Sequence, residues 1–146
     1  MKDRINTTYL LILLAVLCAI APISIATYLP AIPSMAKYYN LPISHIELSL
    51  SIFMLGFSFG QLFGGPLSDR KGRKFCSLTG LFGFAFFSFL IIFSSTVYEL
   101  WIYRFFEAFF GGLIVINATA IVRDLYKGKD AAKFFSLLGS VRSIVP

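Results

Sequence analysis

Hydrophobic residues make up 58% of this 146-residue chain and charged residues 14%, where an ordinary soluble domain carries about 25% charged residues. An aromatic share of 17%, with seventeen Phe, exceeds what one small aqueous core can bury, so lipid must cover much of the surface. The net charge of +6 would suit a nucleic-acid binder only as a basic face on a water-soluble fold, and the distribution of the cations excludes that class.

Ten of the thirteen Lys and Arg fall in three segments, Lys2 with Arg4, Arg70 to Lys74, and Arg123 to Lys133, separated by pairs of apolar runs. The positive-inside rule then places these segments and the N-terminus in the cytoplasm, with the connections around Lys37 and Glu99 outside. Cys18, Cys76 and the single His45 lack metal-ligand spacing, so no metal, cofactor, disulfide or enzyme constellation is expected.

In chain order, Ile5 to Ala36 is uncharged and interrupted by Pro22, Pro30 and Pro33; the first span is predicted at about residues 9–29. A basic start and the triplet Ala19-Ile20-Ala21 also fit a cleavable signal peptide, but the apolar run continues past the triplet and further spans follow. Pro30 and Pro33 are expected to bend or end this span. The second span is predicted at about 46–67, opened by Ser44-His45-Ile46-Glu47, which has capping-box spacing. Within it Gly56, Gly60 and Gly64 recur every four residues, leaving one stripe bare for close approach of a neighbouring backbone.

A charged knot follows, with five charges among the ten residues from Gly65 to Lys74. Asp69 sits where the end of a helix dipole disfavours a carboxylate, so it needs a cation from Arg70, Lys71, Arg73 or Lys74; Gly72 permits a tight turn. The third span is predicted at about 75–93, with Gly80 and Gly83 as packing positions, and the fourth at about 100–122. In the fourth, Arg104 lies about 7 Å deep and Glu107 shares its face. Ala108, Gly111 and Val115 continue that narrow face, which suits either a helix lining a cavity or an ion pair locking the helix to its neighbours. The apolar stretch at 134–146 reaches about 20 Å as helix, so a fifth span is expected to be incomplete.

The order G-x-L-x-D-R-x-G-R-K, carried by Gly65, Leu67, Asp69, Arg70, Gly72, Arg73 and Lys74, resembles the loop between helices two and three of the major facilitator superfamily of secondary transporters. Leu100 to Ala108 resembles that family's span-four motif, with Glu107 and Ala108 where Gln and Gly are more usual. Tyr28 to Pro33, Y-L-P-A-I-P, and I-V-R-D ending at Asp124 are similar to the Bcr/CflA type of drug and proton antiporters. Two departures stand out: Ser77 occupies the motif's final position, usually Leu, and Ala26 occupies a position where many relatives carry Asp.

The resemblance implies an all-α membrane fold of twelve helices in two six-helix halves, built from inverted three-helix repeats. Residues 1–146 would supply the first four to five helices, part of the N-terminal half. It implies a gating cluster of Asp69, Arg73 and Asp124, proton coupling through Arg104 and Glu107, and a substrate path passing Tyr28, Pro30 and Pro33. The expected function is proton-coupled efflux of a small amphipathic drug across the inner membrane, with the bilayer, protons and the C-terminal half as partners and no activity for these residues alone. The alternatives are a symporter for a nutrient or metabolite, and a small membrane protein that oligomerises through its glycine stripe.

Overall fold

The computed structural model describes residues 2–125; the expected fifth span at 134–146 lies outside them. The first helix, α1, runs Lys2–Tyr28 with Pro22 inside it. A 3-10 turn, Leu29–Ala31, then leads directly into α2, Ile32–Tyr39. Pro30 and Pro33 each fall in the first two positions of a helical segment, where a missing N–H removes no bond. They therefore tighten the path without ending it, and the apolar span continues past residue 29 to Tyr39. Asn40, with φ 51°, stops α2 in the left-handed conformation that Asn tolerates better than most side chains.

Helix α3 spans Ile43–Lys71 and has Pro42 as its N-cap. The His45 N–H donates to the Pro42 carbonyl at 3.0 Å, so Ser44 is already inside the helix and the predicted capping box does not form. Between α3 and the next helix, α4, Arg73–Ile91, Gly72 at φ 92° breaks the path in a conformation nearly reserved for glycine. A reciprocal box occurs instead ahead of α5, Val97–Leu125. The Glu99 N–H donates to Thr96 Oγ1, and the Thr96 N–H donates to Glu99 Oε2, both at 3.3 Å.

Helix α5 is the hub, with more than half of its apolar stretch buried while most of α4 is not. Helix α3 meets it through the glycine stripe. A Cβ at Gly56 or Gly60 would run into the carbonyl oxygens of Phe105 or Phe109, and one at Gly64 into Ile116. Small residues give such backbone proximity in lipid, where apolar burial alone offers little drive. The stripe is thus occupied within the chain, which removes it as a free face for a second copy. Helix α4 packs on α5 similarly, through Gly80 and Gly83 against Ile114 and Phe110.

Helix α1 runs opposite to α5, with Leu14 and Cys18 against Ala118 and Val122 at one end. At the other end Tyr28, Ile32 and Ala36 pack with Ile46, Val97 and Leu100. Large side chains such as Phe82 and Ile92 point outward, as lipid contact requires. Among the described residues four helices are long and apolar enough to cross a membrane, which makes this a multi-pass, all-α membrane protein.

Candidate functional site

Helix α5 carries two polar centres. The first is at the basic end, where the turn at Gly72 swings Arg73 back toward the end of α3. Arg73 Nη2 lies 2.9 Å from Asp69 Oδ1 and 3.0 Å from Asp124 Oδ2, while Nε donates to the same Asp124 oxygen at 3.1 Å. Nη1 donates to Ser68 Oγ at 3.0 Å. Both carboxylates are exposed, so each pair contributes about 0.2–1 kcal/mol after screening. The structure thus brings the three expected cluster residues together in pairs weak enough to be exchanged cheaply.

Around them, Arg70 and Lys74 are exposed and Leu67 is half-buried. A Cβ at Gly65 would meet nothing within 4 Å. Beneath the cluster lies Asn117, fully buried on α5. Its Nδ2 donates to the Arg73 carbonyl at 2.6 Å and to Ser77 Oγ, and its Oδ1 accepts from Ser68 Oγ at 2.5 Å.

The second centre is enclosed nearer the other end. Arg104 and Glu107 are 2% and 3% exposed, and Arg104 Nη1 donates to Glu107 Oε2 at 2.7 Å. Glu107 Oε1 accepts from Ser88 of α4 at 2.7 Å and from Ser24 of α1 at 3.3 Å. Ser24 also accepts from Arg104 Nη1 at 3.2 Å. The guanidinium carbon lies 3.8 Å from the Tyr28 ring centroid and 4.8 Å from that of Phe53, distances typical of cation–π contact. Tyr28 is fixed in turn by a 2.6 Å hydrogen bond between its hydroxyl and Ser49 Oγ. Arg104 Nε and Nη2 find no hydrogen-bond partner among the described residues.

Desolvating two ions costs several kcal/mol apiece, so an enclosed pair is poor evidence of stabilisation and better evidence of a task. Of the residues expected along a substrate path, Tyr28 joins this centre, whereas Pro30 on the turn and Pro33 at the start of α2 stay exposed. Sequence reasoning missed Ser24, Ser49, Ser88 and Asn117. For Asn117 a signal existed, since an amide in the uncharged stretch from Ala108 to Val122 demands partners. The serines gave none, because a hydroxyl can satisfy itself on its own helix.

Residues 12–146 match the model of the Major Facilitator Superfamily. The chain belongs to that superfamily, a family of transporters rather than of enzymes. Among its relatives, the MFS-type transporter YdgK of Bacillus subtilis is 36% identical, over 99% of this chain and 35% of its own length. The bicyclomycin resistance protein homolog of Haemophilus influenzae is 29% identical, over 100% of this chain and 37% of its own. The multidrug resistance protein MdtL of Shewanella oneidensis is 32% identical, over 86% and 32%. The chain therefore spans about a third of the length of these curated relatives. No solved structure matches it.

Proposed function

We propose that this chain is part of the N-terminal half of a proton-coupled efflux transporter of the cytoplasmic membrane, exchanging protons for a small amphipathic drug by alternating access. The reading rests on one observation above others, the enclosed Glu107 carboxylate, which Arg104 holds on its own helix and which Ser24 and Ser88 contact from α1 and α4. A carboxylate held by contacts from three helices sits where a rearrangement of those helices would change its surroundings. Protonated, Glu107 would leave the Arg104 cation without its counter-charge. The drug class is carried over from the names of the bicyclomycin and multidrug resistance relatives.

In this reading Asp69, Arg73 and Asp124 close the cytoplasmic side, and their marginal pairs open at small cost. Gly65, with open space around it, faces the second half of the transporter. Tyr28 and Arg104 border the substrate path. Transport needs the remaining part of the protein, since alternating access is a rocking of one half against the other.

The test is drug accumulation in cells lacking their own exporters and expressing the longer protein, with chloramphenicol and ethidium as probes. Accumulation should fall on expression and recover with a protonophore. Proton-driven uptake into the same cells would replace efflux with symport, and an unchanged export rate in Glu107→Gln would remove the carboxylate from coupling.

A further inference from the structure

We propose that Asn117 is a positioning residue for Arg73, one amide that holds this residue directly at its backbone and, through Ser68, at its side chain. Its consequence for transport rests on the gating role proposed above for the charge cluster; the positioning itself does not.

The hydrogen-bond chemistry allows one arrangement. The Arg73 carbonyl can only accept, so Asn117 must turn its nitrogen toward it, and this leaves Oδ1 facing Ser68. Ser68 then gives its proton to Oδ1 and presents a lone pair to Arg73 Nη1 at 3.0 Å. The second Nδ2 proton goes to Ser77 Oγ. One fully buried side chain thereby ties the end of α3 and the first and fifth residues of α4 to α5. With its carbonyl pinned and Nη1 engaged, Arg73 directs Nε and Nη2 at Asp124 and Asp69.

Two features argue that this is more than packing. A buried amide is costly unless satisfied, and every hydrogen bond of the Asn117 side chain goes to Arg73 or to a serine beside it. Ser77 stands where the family motif usually ends in Leu, and its hydroxyl meets Asn117. The departure and the amide form one unit.

The test is NMR of the arginine Nε–H groups in the chain carried in lipid nanodiscs, with the Arg73 signal assigned by its absence in Arg73→Lys. Wild type should give a slowly exchanging Arg73 signal, and Asn117→Leu should lose it while the enclosed Arg104 signal persists. An unchanged Arg73 signal in Asn117→Leu overturns the proposal. If the Arg104 signal also vanishes, the variant has unfolded. In that event Ser77→Ala decides, because it frees one Nδ2 proton and must shift the Arg73 signal; no shift there overturns the proposal equally. In the longer protein, the Asn117→Leu, Asp124→Asn double variant should export ethidium no more slowly than the slower single variant. If Asp69→Asn exports normally, the gating reading fails while the NMR result stands.

Discussion

The Arg104 guanidinium packs on the face of the Tyr28 ring, 3.8 Å from its centroid, and this contact joins the end of α1 to the first third of α5. The Tyr28 hydroxyl carries the link on to Ser49 of α3. The enclosed cation is stabilised by the Tyr28 ring, the Ser24 hydroxyl and the Glu107 carboxylate together.

Tyr28→Phe keeps the ring and removes the bond to Ser49, leaving that buried hydroxyl to its own helix, so it should cost about 1 kcal/mol. Tyr28→Leu also removes the ring face and should cost about 2 kcal/mol more. Unfolding of the chain in detergent by graded SDS addition measures both, and equal losses would show that the ring face contributes nothing.

Glu107→Ala leaves the Arg104 charge enclosed and unpaired, a loss of about 3–5 kcal/mol. Glu107→Gln keeps hydrogen-bonding capacity toward Ser24, Ser88 and Arg104, so it should be milder in stability yet abolish protonophore-sensitive export. Melting curves and drug accumulation measured on the same variants separate the two effects.

Gly60→Ala sets a methyl against the Phe109 carbonyl, forces α3 from α5 and should cost about 1–3 kcal/mol. Gly65→Ala meets open space and gains up to about 1 kcal/mol of helix propensity. A thermal melt that ranked Gly65→Ala below Gly60→Ala would contradict this packing.

Asp69→Asn should shift stability by less than about 1 kcal/mol, since the pair is largely exposed, while lowering export. Unchanged transport in this variant would refute the gate. Raised salt should mimic the change in part, through screening.

Thr96→Ala removes one side of the box that opens α5 and should cost about 1 kcal/mol. Ser44→Ala, which breaks no cap, should be close to neutral. The comparison is best made by melting, because neither residue touches the two polar centres.

Spans and loops are legible in the chain because lipid imposes a simple rule: about twenty apolar residues per crossing, with cations gathered at the crossings' ends. The pairing of Arg104 with Glu107 is legible too, since residues three apart on one helix share a face. Of the two outcomes open to Pro30 and Pro33, the path bends through a 3-10 turn and does not end, because at the start of a helical segment a proline sacrifices no bond. Ser44 with Glu47 and Thr96 with Glu99 have equal spacing, and the box forms at the pair whose helix begins in the right place.

Order along the chain could set which segments cross the membrane and which charges lie near each other on one helix. Only packing could decide that Ser24 and Ser88 converge on Glu107, or that Asn117 reaches Arg73 and Ser77. Those contacts depend on the rotation and register of helices far apart in the chain, and the close approach of backbones at Gly56, Gly60 and Gly80 sets that register.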